Sequence, residues 1–266
     1  MGVGGESIEA RSKRRRQRAL FDGIAELYNA SRRGYPRELV ELMVTTAALG
    51  EGGRVLEIGC GTGQLTEQLA RHGCDVTAID IGPSMVAVAR RRLGRAPVRF
   101  AVVSFEDFEA DDGAFDLVVS ATAFHWVDPE VKFDKTARLL RPGGWLALLA
   151  TGERYDDPFG TALLEMWVDR SHDGGAWVKQ RRLADTQIIT STGLFGQPLE
   201  KTHAERISLP AEVVIGVEST RATFLSWEPA ARLDFTDQMR RHLHGFPSVY
   251  LTQQTTLTMA PAPTTR

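Results

Sequence analysis

Between residues 51 and 150 short apolar runs alternate with amphipathic stretches. Arg54 to Ile58, Asp75 to Asp80, Val98 to Val103, Phe115 to Ser120 and Trp145 to Ala150 are brief and rich in aliphatic and β-branched residues. Their length and composition read as strands buried on both faces. Gln64 to Arg71 reads as a helix, and so does the stretch opened by Pro83, with Met85, Val86, Ala89 and Leu93 on one side. Asp128 before Pro129 predicts an N-cap with proline at N1, opening a helix through Phe133, Ala137 and Leu140. Arg141-Pro142-Gly143-Gly144 reads as a turn. Strands separated by helices imply an α/β fold, a parallel sheet with helices on both faces.

The flanks are less regular. Residues 1–20 read as a basic flexible arm. Phe21, Ile24, Ala25 and Tyr28 predict a helix over 20–29, and a second follows Pro36, with Leu39, Val40, Met43, Val44 and Ala47 on its apolar face and Gly50 at its end. Beyond Ala150, Phe159, Leu163, Met166, Trp167 and Arg170 lie along one helix, Ser171 to Gly175 breaks it, and a second helix is expected from 176 to about 191. His203 to Leu209 alternates like a half-buried strand, helices are expected from Pro210 and over 229–243, and Ser248 to Met259 reads as the last strand. The proline-rich tail, 260–266, is expected to fray. The organisation is one domain over 21–259: a helical cap (21–50), a ligand-binding core (51–150), a lid insertion (151–202) and a segment completing the sheet (203–259).

The chain has 266 residues and a net charge of -2 from 32 basic and 34 acidic residues. That balance argues against a dedicated nucleic-acid binder. The basic run Arg11, Lys13, Arg14, Arg15, Arg16 and Arg18 has no interleaved aromatics, so it reads as a solvated helix face. No run approaches 18 apolar residues and the first 20 lack an apolar signal core, so neither a membrane span nor a secretory signal is expected. Two cysteines, Cys60 and Cys74, fit a reducing cytoplasm, with no disulfide framework and no metal site expected.

The strongest local signal is Val55-Leu56-Glu57-Ile58-Gly59-Cys60-Gly61-Thr62-Gly63. A strand enters a glycine-dense turn that opens a helix, where bare backbone and free N–H groups suit an anionic ligand end. A P-loop requires Gly-Lys-Ser/Thr, but Gln64 and Leu65 follow Gly63. A dinucleotide fingerprint requires a third glycine or alanine where Gln64 stands. A nucleoside without a pyrophosphate, S-adenosylmethionine (SAM), remains. Asp80 ends the second strand, 21 residues after Gly59, where an acid accepts bonds from ribose hydroxyls; as a bland alternative it caps the next helix. Phe105 reads as packing on adenine and Glu106 as meeting its amine, or both belong to an exposed acidic loop.

Glu57 to Gly63 resembles motif I of the class I SAM-dependent methyltransferases. Asp80 stands where their ribose-binding acid stands, Phe115 to Ser120 running through His125-Trp126-Val127-Asp128 resembles their fourth-strand motif, and Leu140 to Gly144 the turn before their fifth strand. The small-molecule branch resembled includes trans-aconitate methyltransferase-like enzymes, through Phe21, Ala25, Tyr28 and Arg32-Arg33-Gly34-Tyr35-Pro36, with Arg33 departing from that branch's proline. The resemblance covers about 21–150 closely and 200–259 loosely. It implies a Rossmann-like seven-stranded, mostly parallel sheet with an antiparallel last strand and a helical lid. It also implies that Gly59 and Gly61 meet the methionine part of SAM, that Gly63 belongs to the same cofactor-binding turn, that Asp80 and Ile81 hold ribose and adenine, and that Ala121 offers a carbonyl near the amino group. Tyr28 and Arg32 would lie on a closing arm, Arg32 pairing with the cofactor carboxylate; alternatively Tyr28 only staples the first helix to the sheet.

The reaction implied is in-line methyl transfer to a small-molecule acceptor, an aromatic or heteroaromatic compound of specialised metabolism or else a carboxylate as in the trans-aconitate-like enzymes, leaving S-adenosylhomocysteine (SAH). RNA or protein methylation and SAM binding without transfer are the rivals. His125 is the candidate general base, or a structural histidine. Phe124, Trp126, Trp167, His172 and Trp177 are candidate acceptor contacts, or core. Arg181 and Arg182 would suit a carboxylate. A monomer or homodimer is expected.

Overall fold

The computed structural model describes residue 16 and residues 19–155, 158–170, 186–246 and 248–265. A 3-10 turn (Asp22–Ile24) leads into α1 (Ala25–Ser31), then α2 (Arg37–Thr46), β1 (Arg54–Ile58), α3 (Gln64–Arg71), β2 (Asp75–Asp80), α4 (Pro83–Leu93), β3 (Val98–Val102) and β4 (Phe115–Ala121). A 3-10 turn (Phe124–Trp126), α5 (Lys132–Leu139), β5 (Leu140–Tyr155) and α6 (Pro158–Arg170) follow. Residues 186–192 form α7. The chain then runs through β6 (Leu199–Pro210), α8 (Ala211–Ser219), α9 (Ala222–Leu225), α10 (Pro229–Leu243) and β7 (Ser248–Pro261).

The seven strands lie in the order β3-β2-β1-β4-β5-β7-β6. β1 to β5 are mutually parallel, and β7 runs antiparallel between β5 and β6. Alternate residues of each central strand serve opposite layers. Val55, Leu117 and Val119 pack with Leu39, Met43, Leu65 and Leu69 of α2 and α3. Leu56, Ile58 and Val118 pack with Phe133, Leu139 and Ile189 on the other side. Strand order reverses between β1 and β4, and at such a switch point the carboxyl ends of the strands leave a crevice.

Several boundaries differ from expectation. Asp128 caps a turn instead of a helix: its carboxylate accepts the Glu130 N–H at 3.0 Å, and α5 starts only at Lys132. Arg141 to Gly144 falls inside β5, which bulges against β4 between Phe115 and Leu117. β5 continues to Tyr155 and pairs with β7 past the ends of the parallel strands. The tail is not frayed over its described residues: the Ala262 N–H donates to Gly144 C=O at 2.7 Å and the Gly143 N–H to Pro263 C=O at 3.0 Å. Where a lid is expected there is a helical cluster in which Trp167 of α6 packs with Val214 of α8, Phe224 of α9 and Phe235 of α10. It therefore draws as much on residues after 210 as on the expected insertion. The part of that insertion from 171 to 185 lies outside the described residues. No helix among the described residues is long and apolar enough to cross a membrane.

Candidate active site

The glycine turn after β1 curls over the end of β2, with the N–H groups of Gly59 and Cys60 both donating to Ile79 C=O at 2.8 and 3.0 Å. Gly59 has φ of 71°, and a Cβ there would lie 2.4 Å from the Ala123 Cβ, so only glycine lets the β1 and β4 loops touch. Gly61, with φ of 54°, faces open space; a Cβ there would meet nothing nearer than the Tyr28 ring at 4.0 Å. That bare backbone borders a cavity of about 120 Å³. Its walls are Ile58, Gly59 and Gly61, Asp80 to Gly82, Val103 and Phe105, and Ala121 to Ala123; Phe21, Asp22, Tyr28 and Trp126 roof it.

Asp80 stands at the centre of this wall. Its Oδ2 accepts the Gly61 N–H and its Oδ1 the Gly82 N–H, both at 2.9 Å. A carboxylate offers about four acceptor positions, so acceptor capacity remains for a ribose hydroxyl. Burial pushes the Asp80 pKa up, and the backbone donors Gly82, Gly61 and Ile81 oppose that push. A hydrogen-bonding acid, an apolar slot through Phe105 and Ile81, and open backbone at Gly61 fit a ribose, an adenine and an amino-acid tail in turn.

Tyr28, Ile81, Phe105 and Ala121 therefore line the cavity as the sequence suggested. Three residues proposed for the cofactor are placed otherwise. Gly63 does not line it; it precedes α3 at φ of 87°, and a Cβ there would lie 2.9 Å from Leu93, so it is the contact where α3 meets α4. Glu106 spends its carboxylate on the Asp128 N–H at 3.0 Å, tying two loops together beside the cavity. Arg32 points to the lid: Nε donates to Thr220 Oγ1 at 3.0 Å, Nη2 to Val217 C=O at 3.2 Å, and Nη1 stands 3.6 Å from Glu153.

A second cavity, of about 420 Å³, opens beside the first and shares Phe21, Tyr28, Thr122, Ala123 and Trp126 with it. Phe124 and His125 line it, the His125 ring lying 4.7 Å from that of Trp126. Its far wall is an ion network. Arg221 donates to both oxygens of Glu218, at 2.7 and 2.8 Å, and to Glu153 at 3.2 Å. Burial alone would raise the Glu218 pKa, but Arg221, Tyr155 and Trp167 together hold it below the ordinary value. Trp167 is thereby explained: its Nε1 donates to Glu218 at 2.8 Å within the lid core, and it lines neither cavity. His172, Trp177, Arg181 and Arg182 lie outside the described residues.

Sequence reading missed Asp22, Thr122, Glu153 and Arg221. Asp22 caps α4 from across the chain, accepting the Ser84 N–H at 2.7 Å. A lone acid beside a predicted helix gave no sign of that reach. Among the described residues no group of three metal-ligating side chains occurs.

Fold and crevice together define a nucleoside-binding α/β protein of the methyltransferase type. The family model described as "Methyltransferase domain" matches residues 56–148. An uncharacterized methyltransferase of Mycobacterium tuberculosis is 38% identical over 136 residues, 51% of this chain and 54% of that protein. The chain thus spans about half the length of this relative. A ubiquinone biosynthesis O-methyltransferase of Xanthomonas campestris is 41% identical over 166 residues, 55% of this chain and 68% of that protein. Among solved structures, phosphoethanolamine N-methyltransferase 2 of Haemonchus contortus in complex with S-adenosyl-L-methionine shares the fold at a TM-score of 0.54 and 20% identity, over 91% of this chain and 57% of that one. The chain belongs to the class I SAM-dependent methyltransferases.

Proposed function

We propose that this protein transfers the methyl group of SAM to a small aromatic or heteroaromatic acceptor bearing a hydroxyl, in the cytoplasm. The observation that carries this reading is that the two cavities adjoin, with Phe21, Tyr28, Thr122, Ala123 and Trp126 in the walls of both. In-line displacement requires the nucleophile and the methyl carbon to meet, and this shared wall is where cofactor and acceptor would do so. When bound, SAM supplies a methyl group already activated on a sulfonium sulfur. The chain's own residues hold and orient. Asp80 anchors the ribose, Phe105 packs on the adenine, Gly61 leaves room for the amino-acid tail, and the roof excludes water. His125 faces the acceptor cavity, where it takes the hydroxyl proton as the new bond to carbon forms.

A carboxylate acceptor, as in trans-aconitate-like enzymes, would draw on Arg32 and Arg221 in the same wall. Those two charges are already matched by Glu153 and Glu218, so the wall does not call for a further anion. The near-neutral chain also counts against RNA.

Calorimetric titration tests the cofactor. SAM and SAH are expected to bind, with affinity falling at least tenfold in Asp80→Ala, while NAD gives no heat. Binding of NAD alone would overturn the reading. Methyl transfer from labelled SAM to a panel of phenols, lost in His125→Ala, separates an enzyme from a SAM-binding protein without transfer activity.

A further inference from the structure

The segment Arg32 to Pro36 carries part of the family resemblance, yet none of its residues lines the cofactor cavity. α3 holds this segment with two glutamines one turn apart. Gln68 accepts the Tyr35 N–H at 3.0 Å and donates to the Tyr35 C=O at 2.8 Å, pairing with both polar groups of that residue as a neighbouring strand would. Gln64 donates to the Arg32 C=O at 3.4 Å. Gly34 makes the clasp possible, since a Cβ there would lie 3.2 Å from the Gln68 oxygen. The backbone of Tyr35 is thus fixed, and its side chain lines the larger cavity while packing on the α2–α3 core.

The Tyr35 phenol and the Thr122 side chain stand beside each other in the wall of the larger cavity. Thr122 lines both cavities and has φ of 55°, in the left-handed region. For a β-branched residue that conformation is strained and is found where neighbouring structure imposes it, often at functional sites. Here the Thr122 N–H is held on Leu149 C=O at 2.8 Å. Burial, then the nearby Tyr28, keeps the Tyr35 phenol protonated above its ordinary titration range. The hydroxyl is therefore a neutral hydrogen-bonding group and not a base. A tyrosine hydroxyl has one donor and two acceptor positions, so even a bond to the neighbouring Thr122 would leave capacity for a ligand.

We propose that Tyr35 and Thr122 form the acceptor-orienting pair of this enzyme: the Tyr35 hydroxyl bonds the hydroxyl of an aromatic acceptor, and Thr122 fixes where it points. This rests on the function proposed above and names the contact that would aim the nucleophile at the methyl carbon. It predicts an acceptor that presents its hydroxyl at the Tyr28–Thr122 junction, with its ring against Phe124 and Trp126.

The test uses the whole chain saturated with SAH and 4-nitrocatechol as a chromophoric acceptor probe, titrated by its absorbance change. Tyr35→Phe keeps the ring and removes only the hydroxyl. Probe affinity is expected to fall at least tenfold in this variant, with SAH affinity within twofold of wild type. Thr122→Val should weaken the probe in the same direction, and Thr122→Ser, which restores the hydroxyl, should recover it. If Tyr35→Phe binds the probe within twofold of wild type, or loses SAH to the same extent, the assignment is overturned while the aromatic-acceptor reading stands. If wild type does not bind the probe at all, that reading fails and this inference with it.

Discussion

Glu57, the acid of the glycine motif, sits in surroundings that reverse the usual expectation for a carboxylate at neutral pH. It is 2% exposed beneath α3, and Thr66 Oγ1 donates to it at 2.6 Å. Burial, the largest influence, pushes its pKa up to about 8; the Thr66 bond works downward and the Asp80 charge upward. The unfolded chain titrates this group near 4.5. Between those two values the folded protein keeps a proton that the unfolded chain has lost. Stability from this group is therefore full below about pH 4.5 and lost as pH rises through about 8. The loss is on the order of a few kcal/mol for a fully buried group. Asp80 is shifted in the same direction and adds to the slope. Asp116, held down by Arg54 and Arg141 against the push of burial, loses its contribution only in acid and does not enter this window. Glu57→Gln is isosteric and always neutral. Urea midpoints measured from pH 5 to 9 should fall with pH more steeply for wild type than for this variant, and parallel curves would refute the shift.

The two ends of the β5–β7 ladder show how an element is decided by partners that composition does not reveal. Residues 260–266 are rich in proline and small polar residues, the local signature of a loose end. In the fold Ala260 is fully buried and Ala262 is 6% exposed. The tail answers the two glycines of the Arg141–Gly144 segment, and the Gly196 N–H donates to Pro261 C=O at 2.8 Å. Deleting residues 260–266 would orphan those backbone groups and uncover the apolar layer behind them. Each lost buried bond costs about 1–3 kcal/mol, so a drop of several kcal/mol in urea unfolding is expected. Deleting only 264–266 should be nearly neutral, and equal stability of the two truncations would mean that the tail contributes nothing. The same contrast explains what was legible in the sequence. α10 matches its predicted span, 229–243, because Pro229 and the apolar positions behind it are local signals. Gly59, Gly61 and Asp80 were legible as one cluster because the strand-turn-helix spacing of the glycine motif and the end of the next strand bring them to one cavity wall. Arg32, Glu106 and Trp167 were misplaced because partners far along the chain, Glu153, Asp128 and Glu218, claim them first.

Seen whole, the molecule is a mostly parallel sheet and a helical cluster joined by a strap, the segment from Phe21 to Arg33, that passes over the cofactor cavity. One end of the strap is fastened where Asp22 caps α4. The other is fastened where Arg32 reaches the end of α8 and the ion network of Glu153, Arg221 and Glu218. Between them Phe21 and Tyr28 meet edge to face at 6.1 Å, and Arg32 lies over the Tyr28 ring at 5.5 Å. A nucleoside under the strap would favour the closed arrangement of both fasteners, because opening either uncovers the ligand. Segments of this kind open locally at less cost than the core unfolds, and a ligand slows any opening that releases it. At about 100 times its dissociation constant SAH adds about 2.7 kcal/mol, equivalent to roughly 100-fold slower exchange. Amide hydrogen exchange with SAH should therefore slow together at residues 21–33 and 217–225, although the second segment does not line the cofactor cavity. In Asp22→Ala the strap should lose part of that protection while β1 and β4 keep theirs. Protection confined to the glycine turn and to residues 80–82 would show that lid and cofactor site are uncoupled. Linked protection would mean that the acceptor cavity takes its final shape only after the cofactor is in place.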